Sequence, residues 1–248
     1  MRIDVLTLFP QMFEIMNESM MWKAREIGAL DLHVHDLREW STDKHRTVDE
    51  PPYGGGGGML LKVDVVVPAV EAVRGTSGAP VILLGPLGRV FEHQMAVDLA
   101  QREHLILLCG HYEGFDERVR DLVVTEEISI GDYVLTGGEL AAMVIMDAVV
   151  RQIPGVLGAE GGAERESHAD GLLEGPHYTR PVEYRGLGVP ELLKAGNHAQ
   201  IEQWRRRESL RRTWRLRPDL LRTAPLSEDD AYFLAELALE DARARGAR

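Results

Sequence analysis

Leu105-Ile106-Leu107-Leu108-Cys109, followed at once by Gly110-His111-Tyr112-Glu113-Gly114, is the stretch that decides the fold. Five apolar residues in a row, bounded by glycine and too short for a helix, fit a strand buried on both faces of a parallel sheet. A glycine-rich turn at the end of such a strand is where α/β sheets bind their ligands. Pro80–Leu84 and Leu122–Val124 read as further short aliphatic strands and Arg2–Leu8 as a strand ended by Pro10. Leu30–Leu37 alternates apolar and polar residues, the mark of a half-buried strand. Helical patterns lie between these runs, near Phe13–Ile27, Val65–Val73 and Glu92–Arg102. The alternation predicts an α/β domain on a parallel sheet. Gly138–Ile153 is apolar almost all round, which predicts a buried helix, ended by Pro154.

Further along, the character changes. Gly155–Gly175 holds six glycines, several charges and no aromatic residue, and reads as a mobile linker, loosest at Gly161–Gly162. From about Pro176 the pattern is helical: Asn197–Arg215, then Ser227–Arg245, which opens on Ser-Glu-Asp-Asp, close to a capping box. The expected organisation is a first domain over 1–157, a linker over 158–174 and a small all-helical domain over 175–248. With 248 residues, 44% hydrophobic and 27% charged, the chain can bury a core without disulfide or metal. Cys109 is the single cysteine, which fits a reducing intracellular compartment. Met1-Arg2-Ile3-Asp4 reads as a strand and not as the start of a signal peptide. No uncharged stretch reaches the roughly 20 apolar residues of a membrane span.

Several chemistries are excluded by absent motifs. The chain has no G-x-x-x-x-G-K-[ST] loop, no G-x-G-x-x-G after a strand, no C-x-x-C and no H-E-x-x-H. His33 and His35, two apart on a predicted strand, read as exposed side chains and not as metal ligands. Four glycine-containing segments remain. His45–Tyr53 leads into Gly54–Gly58, either a floppy surface loop or a clamp that orders on a ligand, with Arg46 supplying charge for a phosphate. Gly85-Pro86-Leu87-Gly88-Arg89, Gly110–Arg118 and Ile130–Glu139 each sit where a strand ends. Three such loops predict one backbone-lined pocket, better suited to a flat adenine and ribose than to a metal.

The net charge, 28 basic against 40 acidic residues or −12, taken alone argues against nucleic acid. Its distribution argues otherwise. Between Ile201 and Arg222 lie eight arginines and three acids, a local +5, together with Trp204 and Trp214. Such a patch suits phosphate contacts, although an arginine-rich helix can also be a plain solvated face. Arg205, Arg206, Arg211 and Arg212 are the strongest candidates. Ile201 and Trp204 point away from Leu210 and Trp214, so this helix must be buried on two sides or bent.

Taken together, HRTVDEPPYGGG (45–56), GHYEGFDERV (110–119), SIGDYVLTGGEL (129–140), IPGVLG (153–158), GLLEGPHYTRP (171–181) and GNHAQIEQWR (196–205) closely resemble the bacterial tRNA (guanine-N1)-methyltransferases, in order and over essentially the whole chain. The resemblance implies an α/β domain with a SPOUT-type trefoil knot, a flexible linker and a helical tRNA-binding domain. It implies a cytoplasmic homodimer that uses S-adenosylmethionine. The reaction it implies is methylation of N1 of guanosine 37, just 3′ of the anticodon, when guanosine also occupies position 36. It also implies magnesium dependence, although no dedicated metal motif is visible. The alternative is a SPOUT methyltransferase acting on another RNA position, which would share the donor loops.

Residue by residue, the resemblance gives Pro86, Leu87, Gly110, Tyr112, Gly114, Ile130, Gly131, Asp132, Tyr133, Val134, Leu135, Gly137 and Gly138 to the donor. Leu87 and Leu135 would sandwich the adenine, or else are simply core. Arg151 matches the arginine that meets charge developing on guanine O6; read alone it is a cation at a helix C-terminus. The family's base, which takes the N1 proton, is an aspartate followed by serine, a few residues before the GLL run. That place holds Glu166-Ser167 here, one methylene longer, with Asp170 as the alternative. Glu113 matches a residue that contacts the target region of the tRNA; read alone it faces water or pairs with Arg118. His111 stands where relatives carry arginine or histidine and is expected to play a modest part.

Overall fold

The structure, a computed structural model, describes residues 1–158, 162–163 and 166–246. The chain divides into two compact units, Met1–Glu160 and Gly161–Arg248. Of the expected linker, residues 159–161 and 164–165, Gly161 among them, lie outside the described residues.

In the first unit the strands are β1 (Arg2–Thr7), β2 (Asp31–Asp36), β3 (Asp49–Glu50), β4 (Leu60–Leu61), β5 (Val81–Val90), β6 (His104–Cys109) and β7 (Glu126–Ser129). The helices are α1 (Ser19–Glu26), α2 (Val63–Arg74), α3 (His93–Ala100), α4 (Glu117–Val123) and α5 (Glu139–Val150). Five strands form one parallel sheet in the order β2-β1-β6-β5-β7, and β3 and β4 form a separate antiparallel pair. A parallel sheet needs cover on both faces. Here Ile3, Val5, Ile82, Leu84, Leu107 and Cys109 pack on one side with residues of α1, α3 and α5. Leu6, Val81, Leu83, Ile106 and Leu108 pack on the other with residues of α2 and α4. The aliphatic run of β6 is buried because it supplies both layers.

Three local expectations are corrected. Leu122–Val124 is not a strand: α4 runs to Val123 and the strand β7 begins at Glu126. Asp116 caps α4 by accepting from Arg118 N at 3.0 Å, and Val119 and Val123, four apart, bury one helical face while Leu122 stays exposed. Two glutamates hid β7 from an aliphatic reading, yet Ile128 and Ser129 are buried. Phe13–Ile27 is not one helix. A 3₁₀ stretch over Pro10–Asn17 is followed by an extended Glu18, and only then by α1. Finally, α5 is not covered all round, because Leu140 and Val144, one turn apart, are exposed.

The second unit holds β8 (Glu183–Tyr184) paired antiparallel with β9 (Leu187–Gly188), then α6 (Glu191–Lys194), α7 (His198–Leu216) and α8 (Glu228–Gly246). That small hairpin corrects the all-helical expectation. The core is compact: Leu172, Leu210, Phe233 and Leu237. Ser227 and Asp230 do form a reciprocal cap on α8, Ser227 N donating to Asp230 Oδ2 at 2.9 Å and Asp230 N to Ser227 Oγ at 3.2 Å. The mismatched apolar positions of α7 find different neighbours: Trp204 lies against the Tyr178 ring, and Trp214 Nε1 donates to Asp241 on α8 at 2.9 Å.

Candidate active site

The site begins with a local irregularity. Leu84 and Arg89 of β5 both register on Ile128 of β7, so the chain between them arches out of the sheet. A Cβ on Gly88 would fall 2.4 Å from the backbone of Glu127 and Ile128, so only glycine lets the arch return. At the end of the neighbouring β6 a second loop starts with Gly110, whose Cβ would sit 2.9 Å from the Phe115 ring. The third loop leaves β7 and returns to the second: Gly138 N donates to Gly110 O at 2.8 Å, and His111 bridges to Gly137.

These three loops enclose a cavity of about 360 Å³ at the C-terminal edge of the sheet. Pro86, Leu87, Gly110, Tyr112, Gly114, Ile130, Gly131, Tyr133, Val134, Leu135, Gly137 and Gly138 all line it. Asp132 does not. Tyr133 N closes a tight turn onto Gly131 O at 2.9 Å, which leaves Asp132 at the exposed tip. Leu87 is 79% exposed and Leu135 37%, so neither is a core residue. Apolar groups held open around a glycine-lined hollow are what an adenine face requires.

The walls also hold residues that pattern reading passed over. These are Thr136, Phe115, Arg120 and Ala141. His111, expected to play only a modest part, also lines the cavity, and its Nδ1 is buried with no hydrogen-bond partner among the described residues. An unpaired buried nitrogen at a cavity wall is costly until something meets it. Beneath the third loop, the buried Glu139 carboxylate accepts from Thr7 Oγ1 at 2.7 Å and ties the start of α5 to the end of β1. Burial, and then the nearby Glu139 charge, push the Cys109 thiol well above its usual pKa, so it is a packing group and not a nucleophile. No sequence signal marked the Thr7–Glu139 pair, whose members are 132 residues apart.

The remaining candidates are spread more widely. Glu113 lines the cavity, and Arg118 pairs with Asp116 at 2.6 Å and not with Glu113. Arg46 lies outside the cavity lining in a bonded turn, its Nε donating to Arg38 O at 3.2 Å. Arg151 is the residue that ends α5, its N–H donating to Asp147 O at 3.3 Å.

In the second unit, Glu166, Asp170, Arg205 and Arg206 line a separate cavity of about 420 Å³. Both Asp170 oxygens are engaged there, Oδ1 by Leu172 N at 3.2 Å and Oδ2 by the Arg206 guanidinium. Arg206 also holds Asp230 at 2.9 Å. Burial would raise the Asp230 carboxyl, but the hydrogen bonds from Arg206 and Ser227 hold it below the usual carboxylate range. Arg212 Nη1 donates to Glu174 O at 2.9 Å, and Arg211 stacks on Phe233 at 5.5 Å, so both have structural work. Arg205 is exposed, with a surface partner in Glu202. Among the described residues no three His, Cys, Asp or Glu side chains converge to hold a metal.

The family model described as tRNA (Guanine-1)-methyltransferase TrmD matches residues 1–223. The chain belongs to this family. Its members named tRNA (guanine-N(1)-)-methyltransferase include one from Dehalococcoides mccartyi strain 195, 55% identical over 244 residues, which are 97% of this chain and 98% of the relative. The Geobacter sulfurreducens member is 56% identical over 242 residues, 97% and 99% of the two chains, and that of Moorella thermoacetica 56% over 242 residues, 96% and 97%. For a member of this family, a glycine-lined hollow with exposed leucines suits a methyl donor carrying an adenosine. Among the described residues no helix is long and apolar enough to cross a membrane.

Proposed function

We propose that this chain methylates N1 of guanosine 37 in tRNAs with guanosine at position 36, using S-adenosylmethionine, as a cytoplasmic homodimer with a SPOUT-type trefoil knot in its first unit. Methylation of guanine N1 in tRNA is the activity that its relatives' names state. The observation that carries the donor assignment is the meeting of all three glycine-rich loops on one cavity.

When bound, S-adenosylmethionine supplies a methyl group on a cationic sulfur. The backbone of Gly110, Gly137 and Gly138 would hold the adenosine, with Leu87 and Leu135 on its faces. Glu166 removes the guanine N1 proton, which makes that nitrogen nucleophilic. Asp170, the alternative, is bonded to Arg206 and to Leu172 N. Arg151 meets the negative charge that passes to O6 as the proton leaves. Glu113 holds the target region, and the arginines of α7, Arg205 foremost, take phosphates. The target edge of guanine is used in pairing, so the base must leave its stack. The exposed Leu140 and Val144 of α5, with exposed Met12 and Ile15 in the 3₁₀ stretch packed on it, support a second copy as partner.

The test is methyl transfer to unmodified tRNA carrying guanosines at 36 and 37, with nucleosides analysed by mass spectrometry and the same tRNA with adenosine at 37 as control. 1-Methylguanosine only in the first is expected. No product in either, with donor binding intact, would overturn the assignment of substrate.

A further inference from the structure

The glycine run Gly54–Gly58, singled out in the sequence, has no part in the proposed chemistry. It joins β3 to β4, whose pairing (Asp49 with Leu61, Glu50 with Leu60) makes it the loop of a short hairpin. The hairpin is sewn to the second cavity loop. Glu113 N donates to Met59 O at 3.1 Å, Leu61 N to Gly114 O at 2.9 Å, and Asp116 N to Leu61 O at 3.0 Å. Leu61 itself is fully buried.

The five glycines are not equivalent. A Cβ on Gly54, Gly55 or Gly57 would meet nothing within 4 Å, and one on Gly56 would only graze Pro52 at 3.9 Å. A Cβ on Gly58 would fall 2.3 Å from Glu113 Cγ, 2.5 Å from its Oε1 and 2.8 Å from its Cδ. The Glu113 side chain lies in the space that a side chain on residue 58 would fill. We infer that Gly58 is a positioning residue for Glu113, holding that carboxylate in place at the wall of the donor cavity. The atom struck is Cγ, so bending the far end of the glutamate gives no relief. The side chain must change its χ1 well, which swings the carboxylate to another direction. The backbone bonds to Met59 and Leu61 keep the main chain of residues 113–116 from following.

This rests on the reading that Glu113 contacts the tRNA, and the experiment separates the two. Gly57→Ala, Gly58→Ala, Glu113→Ala and the double variant Gly58→Ala/Glu113→Ala are compared in kcat/KM for tRNA. Kd for S-adenosylmethionine is measured by calorimetry and Tm by a thermal melt. Gly57→Ala is expected to match wild type. Gly58→Ala should lose about tenfold or more in kcat/KM for tRNA, as expected for a displaced contact group. Its S-adenosylmethionine Kd should stay within about twofold, a shift below about 0.4 kcal/mol. In the double variant the struck atoms are gone, so it should be no worse than Glu113→Ala. If Gly58→Ala fails to fold while the double variant folds, the clash with Glu113 is confirmed by that route. An equal loss from Gly58→Ala with and without Glu113, or failure of both variants to fold, would overturn the positioning role in favour of strain at a φ of +82°. Wild-type kinetics in Glu113→Ala would instead overturn the reading of Glu113.

Discussion

Gly138 is where one methyl group tests how the donor cavity is built. Its N–H donates to Gly110 O at 2.8 Å, and a Cβ added there would lie 2.8 Å from Cys109 Cα and 3.1 Å from Gly110 N. Ordinary contact starts at 3.4 Å, so alanine demands a separation of about 0.6 Å in a close-packed interior. Cys109 cannot yield, because it is fully buried at the end of β6 and in register with Leu84 of β5. The third loop must move, stretching its bond to Gly110. Overpacking costs about 1–3 kcal/mol, and weakening one hydrogen bond adds about 1 kcal/mol. At roughly 2–4 °C per kcal/mol for a chain of this size, Gly138→Ala should melt about 4–16 °C below wild type. A shift of 1 Å at a binding site can cost about 10²-fold, so S-adenosylmethionine affinity should fall about tenfold. Scanning calorimetry and titration calorimetry measure the two effects. A variant that melts within about 1 °C of wild type and binds within about twofold would refute the described contact between loop and strand.

Asp4 is fully buried and accepts from Arg2 at 2.6 Å, His35 at 2.6 Å and His104 at 2.7 Å. Burial alone would raise its pKa, but the bonds from His35, Arg2 and His104 outweigh that and hold the carboxyl well below the usual range. A depressed folded-state pKa gives stability that is present above the unfolded value of about 4 and lost as pH falls below it. Asp4→Asn should therefore cost about 3–5 kcal/mol in denaturant at neutral pH, with the gap narrowing below about pH 4; a gap unchanged at low pH would mean that Asp4 is not ionised. Glu166→Gln is expected to abolish turnover with tRNA binding intact, whereas Asp170→Asn should mainly lower Tm; the opposite pattern would make Asp170 the base. Arg206→Ala should destabilise the second unit by about 1–3 kcal/mol, since it strands the buried Asp230. Arg205→Ala should leave the melt unchanged and weaken tRNA binding. That binding should fall steeply with salt on a log–log plot, and an affinity flat from low to moderate salt would remove the phosphate contacts.

The sequence by itself determined the parallel sheet, because β6 is an aliphatic run that only a strand buried on both faces explains. It also marked the three loops of the cavity, since glycines clustered after strands have few other uses. The chain's family was legible for the same reason: its motifs are long and local. The sequence misread Leu122–Val124, where three apolar residues have no period of their own and the caps around them decide. It missed β7 because charged residues at a sheet edge break the apolar pattern.

Only the tertiary structure decided which residues share the site. Thr7 and Glu139 meet across 132 positions of sequence because β1 and α5 pack on one sheet, and no local pattern encodes that distance. In the sequence Leu87 and Leu135 could each face a donor or be core; both are exposed, Leu87 on an arch set by the register of β5 against β7. Likewise, five identical glycines cannot be told apart along the chain. Space around a Cβ is a property of neighbours, and Gly58 alone among them has the Glu113 side chain as its neighbour.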